Sequence, residues 1–449
     1  MTRLPVEQLL ARSESLIAKF EEEMRARDIH KAIQLDREAL ECCPPDHSRR
    51  PHCLTRLAVH LRTRYHKLGA MKDFNEAISL CREAICLYPR KAPHRLICLY
   101  KLAAELCTRY TQLGTMQDLD EAISLGREAQ NLCPQGHPDQ STILNNLASY
   151  LSTRYEQLGA MHDLDAVILL YREALDLLPM RHPDRSTSLN NLVVQLSTRY
   201  DQLRTLQDLN AAITLNREAV ELCPQGHPDR SGFLVDLTVR LSTRYNHVGG
   251  MQDLDEALVL GREVLELFPQ GHPTRSVSLN NLSTYLFTRF QHLGEMQDIE
   301  EAIILGREAL YLRSRDHPDR SASLNNLALL LFTRHQKHGA MQDLDEAIVL
   351  IREVVELRPE GHPFRSRALS NLGEYLFTRY EQVGTVQDLD EAIVISREAL
   401  HLRPHGHPLR HHSLDHLSTR LLARHKRLRA VQDFDEAITL RREALDLQP

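Results

Sequence analysis

Residues 139–183 read DQSTILNNLASYLSTRYEQLGAMHDLDAVILLYREALDLLPMRHP, and the spacing within them decides the fold. Leu144, Leu147, Leu151, Tyr155 and Leu158 recur at intervals of three and four, which puts them on one face of a helix. His137-Pro138-Asp139 opens that helix. Proline suits a first turn, and an early carboxylate suits the positive end of the helix dipole. Gly159 closes it, because glycine takes the left-handed cap conformation without strain. A second helix follows, opened by an aspartate that reads as an N-cap. Asp118 with Glu121, and Asp343 with Glu346, have the spacing of a capping box; Ala166 and Ala211 break it elsewhere. Leu119, Ala122, Ile123, Gly126 and Ala129 form the buried face of such a second helix, and Pro134 stops it.

The stretch is one copy of many. Arg64, Arg109, Arg154, Arg199, Arg244, Arg289, Arg334, Arg379 and Arg424 lie 45 residues apart, and so do the aspartates from Asp28 to Asp433. Units starting near residues 4, 49, 94, 139, 184, 229, 274, 319, 364 and 409 account for the chain, with the last one incomplete. A lone helix pair cannot bury its apolar face, whereas stacked neighbours bury it for one another. The expected fold is therefore all-α: a single right-handed α-solenoid over residues 1–449, of about ten helix-turn-helix units. At roughly 10 Å per stacked unit it follows a path on the order of 100 Å. Irregularities are few. The first unit lacks most first-helix signatures, Ser314 replaces the terminating proline in the seventh, and Arg204 and Arg429 replace the capping glycine.

Composition narrows the function classes. Trp is absent and aromatics make up 5%, which favours helices over sheets. A net charge of −6 argues against a nucleic-acid binder, which normally carries a basic face. The nine cysteines contain no C-x-x-C pair. Cys43, Cys133 and Cys223 share a position that is Leu178 or Phe268 in other repeats, so they read as buried apolar residues of a protein in a reducing compartment. The segment Met1–Phe20 is interrupted by Arg3, Glu7, Arg12 and Glu14, and no run of 18 apolar residues occurs, so neither a signal peptide nor a membrane span is expected. The expected location is cytoplasmic.

Ala122, Ala129 and Pro134, at spacings of seven and five, resemble the small residues and terminating proline of the tetratricopeptide repeat. Ala32, Ala39 and Pro44, and Ala392, Ala399 and Pro404, repeat the trio, and Leu147, Ala148 and Leu151 resemble that family's first-helix pattern. The family repeat is 34 residues long. The extra residues here fall between Leu151 and Val167 and between Pro134 and Leu147, the first insertion lengthening the first helix by nearly two turns. The wording of the repeat is similar to long fungal tetratricopeptide arrays and to kinesin-light-chain repeats. In the fungal family such arrays often precede a caspase-like CHAT domain; none is present in this sequence, so the resemblance implies no protease activity.

Four recurring features are candidates for function. Asn146, Asn191, Asn281, Asn326 and Asn371 share one first-helix position, and Asn145, Asn190, Asn280 and Asn325 the one before. Helical geometry turns them away from the leucine seam. In the resembled family first helices line the concave groove, and an asparagine amide both donates to and accepts from a peptide unit. Surface polarity copied by duplication is the alternative. At a nearby position Ser152, Ser197 and Ser242 give way to Phe287, Phe332, Phe377 and Leu422, which read either as a groove for ligand or as padding between adjacent first helices. The Arg154 series sits beside the leucine seam, and a structural ion pair or helix-end contact, with carboxylates such as Glu173 in reach, is preferred to an anion site. His137, His182, His227, His272, His317, His362 and His407 form the fourth series. Packed helices lie 8–10 Å apart, too far for equivalent histidines to share a metal whose ligands each lie about 2 Å from it, so a helix-entry turn is expected.

A periodic surface offers the same residues everywhere, whereas an active site needs one singular constellation. The expectation is a non-enzymatic scaffold that binds a peptide or partner protein along its first helices, with no cofactor, metal, nucleic acid, membrane or small-molecule substrate. The alternative is a structural or regulatory arm of a larger multidomain protein, for example one with a CHAT-type effector.

Overall fold

A computed structural model describes residues 5–69, 71–90 and 92–447. The expected unit start at Leu4, and Arg3 in the N-terminal segment, lie outside these residues. Twenty helices and no strand occur among the described residues, which bears out the all-α repeat. They form two compact units, Met1–Pro224 and Gln225–Pro449. The first holds α1 (Val6–Glu23), α2 (Ala26–Glu41), α3 (Arg50–Leu68), α4 (Met71–Leu87), α5 (Pro93–Leu113), α6 (Met116–Leu132), α7 (Gln140–Leu158), α8 (Met161–Asp176), α9 (Arg185–Leu203) and α10 (Leu206–Leu222). The second holds α11 (Arg230–Val248), α12 (Met251–Leu267), α13 (Arg275–Leu293), α14 (Met296–Tyr311), α15 (Arg320–His338), α16 (Met341–Leu357), α17 (Arg365–Val383), α18 (Val386–His401), α19 (Arg410–Leu428) and α20 (Val431–Asp446). Within each unit every odd helix packs on the even helix after it, and every even helix on the next odd one.

Leu144, Leu147 and Leu151 are buried as their spacing requires, each contributing roughly 2 kcal/mol of apolar transfer. Tyr155 is half-buried and Leu158 is exposed. The last turn of α7 forms the tip of the hairpin, with no element beyond it, and Leu113, Leu203 and Leu293 are exposed at the same place. On α7 a second flank is also buried, through Ile143, Tyr150 and Ser152, because each first helix touches both its own partner and the preceding second helix. Leu119, Ala122, Ile123, Gly126 and Ala129 are buried on α6 as expected.

The helix ends correct two expectations. α6 begins at Met116 after Thr115, so Asp118 lies inside the first turn and makes no capping hydrogen bond. Its carboxylate is taken by Arg109 of the first helix, while Glu121 pairs with Arg82 of the preceding second helix. The capping-box pattern is thus a pair of inter-helix contacts. Pro138 precedes the N-cap residue Asp139 and is not part of the first turn of α7. Gly159 does close α7 at φ 66°, its N–H donating to the Tyr155 carbonyl at 2.7 Å. Arg204 and Arg429 take the same left-handed conformation, at φ 55° and 60°. α14 stops at Tyr311 although Ser314 replaces the proline; the His317 N–H still closes the turn on the Ser314 carbonyl, and Arg320 caps the Arg313 carbonyl.

One buried position breaks the repeat. Where a second helix meets the following first helix, Asp36 faces His60, Gly126 lies against Leu147 and Tyr150, Gly306 lies against Leu327 and Leu330, and Ser396 accepts from Arg420. A small residue on one side admits a large one on the other, so each of these interfaces is packed by its own pair.

Candidate partner-binding face

The Arg154 series is scaffold. Arg154 donates from Nε and Nη2 to both carboxylate oxygens of Asp163 at 2.8 and 2.7 Å. The two-pronged contact recurs in every pair from Arg64–Asp73 to Arg424–Asp433. An ion pair was expected, but the acid is the aspartate nine residues on rather than Glu173. Arg154 holds the Asp163 carboxyl below the usual carboxylate range, and Arg199 and Arg424 do the same for Asp208 and Asp433. Arg199, Arg379 and Arg424 also reach back to Asp165, Asp345 and Asp390 on the preceding second helix.

The histidines form the helix-entry turn. His137 Nδ1 accepts the Asp139 N–H at 3.1 Å, and His182, His227, His272, His317, His362 and His407 accept likewise. Among the described residues no group of three or more His, Cys, Asp or Glu side chains is placed to hold a metal. Cys43 and Cys223 are buried and Cys133 is half-buried. Their position also accepts Arg313, Arg358 and Arg403, which are buried and whose guanidinium pKa is lowered by that burial. Arg313 donates to Ser323 and Arg403 to Ser413. Side-chain hydroxyls and backbone carbonyls, not apolarity, make that site habitable for a charge.

The asparagines are half-buried rather than fully turned to solvent. Several bridge adjacent first helices. Asn145 donates to Ser188 at 3.5 Å, Asn326 to Asn280 at 3.3 Å and Asn371 to Asn325 at 3.4 Å. Asn146, Asn190, Asn191 and Asn281 make no side-chain hydrogen bond among the described residues, so their amides stay available. The aromatic positions divide similarly. Phe332 is buried and stacks on Tyr375 of the next first helix at 4.3 Å between ring centroids. Phe287 and Phe377 are half-buried, beside Phe290 and Tyr380.

Two cavities open on first helices. In the first unit one of about 410 Å³ is lined by Ile17, Val59 and Ile97 from α1, α3 and α5, with His52, Arg56 and Glu14 at its edge. In the second unit one of about 520 Å³ is lined by Phe377, Tyr380 and Leu422 together with Glu381, Lys426, Arg427 and Arg441. Sequence reasoning found Phe377 and Leu422 but not the basic residues, which recur at no fixed interval.

A second arginine ladder also escaped the sequence reading. Arg50, Arg95, Arg185, Arg230, Arg275, Arg320, Arg365 and Arg410 open their helices and pair at 2.7–2.8 Å with a glutamate 33 residues on. The signal was present in the Gly-His-Pro-Asp-Arg motif, but its acid lies on another helix.

Helix hairpins repeated every 45 residues define a helical-repeat protein. A family model described as Tetratricopeptide repeat matches residues 141–184, 276–319, 320–364 and 412–447. Over those segments the chain carries tetratricopeptide repeats, and proteins built from such repeats generally mediate protein–protein interaction. No curated protein matches it. Among solved structures it is similar to a Podosopora anserina protein assigned to the kinesin light chains, with nearly identical TPR-like repeats: 22% identity, TM-score 0.36, 50% of this chain and 100% of that one. It is also similar to the C-terminal part of a TPR repeat-containing protein from Cytophaga hutchinsonii, at 14% identity and TM-score 0.47 over 71% of this chain and 99% of that one. YrrB, a TPR protein with an unusual peptide-binding site, shares 17% identity at TM-score 0.34 over 51% of this chain and 96% of its own. Among the described residues no helix is long and apolar enough to cross a membrane.

Proposed function

We propose that the protein is a non-enzymatic scaffold whose first-helix faces hold a polypeptide partner, without cofactor, nucleic acid or small-molecule substrate. The observation that carries this reading is the cavity of about 520 Å³ on α17 and α19, where the apolar positions Phe377 and Leu422 stand beside Lys426, Arg427 and Arg441, with Glu381 as the one acidic residue of the lining. Apolar side chains beside three basic ones fit an anchoring side chain followed by acidic residues. The unbonded amides of Asn146, Asn191 and Asn281 are suited to peptide groups of an extended ligand.

The test is a displayed peptide library selected on the full chain, followed by titration of the enriched peptides. Phe377→Ser installs the residue that other repeats carry at Ser152, Ser197 and Ser242, so the scaffold tolerates it. Affinity falls at least about tenfold in Phe377→Ser, and falls again when Asn281→Ala is added, with helicity by circular dichroism unchanged. Affinities unmoved by both substitutions would sink the proposal.

A further inference from the structure

From α3 to α19 the second arginine ladder has one gap among the described residues. At seven of these first-helix starts the arginine does two jobs at once. Its Nε and Nη2 edge meets the glutamate, and its Nη1 meets carbonyls at the C-terminal end of the preceding second helix. Arg185 donates to the Leu175 and Leu178 carbonyls at 3.2 and 2.7 Å, Arg275 to Leu265 and Phe268 at 2.9 and 2.6 Å, and Arg365 to Val355 and Arg358 at 2.8 and 2.6 Å. These carbonyls are the negative end of a helix dipole. At the start of α7 the residue is Gln140, whose Oε1 accepts the Gly136 N–H at 3.0 Å, turning it to the loop. Glu173, which stands where Glu218, Glu263 and Glu308 stand, is exposed and has no ion pair or hydrogen bond among the described residues. The space left is a cavity of about 420 Å³ lined by Gln130, Cys133, Gln140, Ile143, Leu144 and Glu173. Cys133 is half-buried here, while Cys43, at the same position and with its carbonyl taken by Arg50, is fully buried.

We infer that this gap is a guanidinium-binding site, filled by an arginine side chain of a partner polypeptide. The chain shows the complementary shape seven times over: a carboxylate on one side and helix-terminal carbonyls on the other. Only a planar fork presents donors in both directions at once; the compact ammonium of lysine meets one side and leaves the other unpaired. Gln130 and Cys133 lie 10 and 7 residues before Gln140, the offsets of the carbonyls that Arg275 and Arg365 reach. The site is at the joint of α6, α7 and α8 in the first unit, and does not depend on the asparagine face.

The experiment titrates the full chain with a blocked pentapeptide, Ala-Ala-Arg-Ala-Ala, with its lysine counterpart and with agmatine, following the methyl resonances of Ile143 and Leu144. The arginine peptide is expected to shift those methyls and to bind at least about tenfold more tightly than the lysine peptide. Glu173→Gln abolishes the difference. Gln140→Arg, which installs the residue of the other repeats, abolishes binding and raises the thermal midpoint, because the chain then fills its own gap. Equal binding of the lysine peptide, or retained binding in Gln140→Arg, overturns the site. Agmatine binding as tightly as the peptide overturns the polypeptide occupant in favour of a small guanidinium compound.

Discussion

Asp163→Ala removes the acid from one arginine clamp and leaves the other eight intact. The Asp163 side chain is 1% exposed and that of Arg154 18%. The carboxylate accepts two charge-assisted bonds at 2.7 and 2.8 Å, an arrangement whose loss costs about 3–5 kcal/mol when the remaining charge is fully buried. Arg154 is not fully buried and keeps Asp120 at 3.6 Å, which lowers the cost. Loss of a carboxylate from the first turn of α8 adds about 0.5 kcal/mol. The expected loss is about 3 kcal/mol. Stability in an array is a sum of local and neighbour terms, so a single global midpoint blurs the effect. Hydrogen exchange of the α7 and α8 amides resolves it, and 3 kcal/mol corresponds to exchange faster by about a hundredfold. The pH dependence follows. Arg154 depresses the Asp163 pKa, so the unfolded chain binds that proton more readily than the native one. The contribution is complete above about pH 4 and is lost as pH falls through the depressed value. Exchange in α7 and α8 that rises less than about threefold, or no more than in the exposed-site variant Asp165→Ala, would refute the reasoning.

Two further substitutions follow from backbone and packing. Arg204 caps α9 at φ 55°, a conformation that costs a non-glycine residue about 1–2 kcal/mol; Arg204→Gly gives up the contact with the Tyr200 ring at 5.5 Å and is expected to stabilise the first unit by about 0.5–1 kcal/mol in chemical denaturation. Gly306→Ala meets Leu327 at 3.4 Å, an ordinary contact, and should stabilise by about 1 kcal/mol through helix propensity, whereas Gly126→Ala meets Leu147 at 3.0 Å and should gain less or nothing in the same measurement.

The fold was legible because a 45-residue period and one apolar face determine a helix pair. What escaped lies between helices. Position on the α7 wheel placed Arg154 beside the leucine seam, but could not say whether Asp163 or Glu173 faces it across the hairpin. The same blindness made Asp118 look like a cap, since a capping box and a pair of inter-helix contacts leave the same letters three residues apart. Wheel geometry likewise turned the asparagines outward, whereas adjacent first helices approach closely enough for Asn326 to reach Asn280. The complementary pairs such as Asp36 with His60 stand in columns that differ between repeats, and only packing shows which two columns meet.

Magnitudes separate the ladders that are complete from those that lapse. The clamp from Arg64–Asp73 to Arg424–Asp433, whose loss costs about 3 kcal/mol, is whole in all nine units that carry its arginine, the first unit having Lys19 at that place. Exposed pairs between second helices, such as Arg82–Glu121 and Arg307–Glu346, are worth about 0–1 kcal/mol. That series lapses at Ala166 and Ala211, leaving Arg127 and Arg172 without an ion pair among the described residues. Such lapses change stability so little that no compensating role is needed to account for them. The Gln140 gap belongs to a middle case. Its counterpart Arg185 is 12% exposed and caps a helix end as well as pairing with Glu218, so giving up that arginine forfeits a half-buried charge pair and leaves helix-terminal carbonyls bare. A loss larger than a surface pair and smaller than the clamp is the range in which a ligand's own guanidinium restores most of what the chain omits.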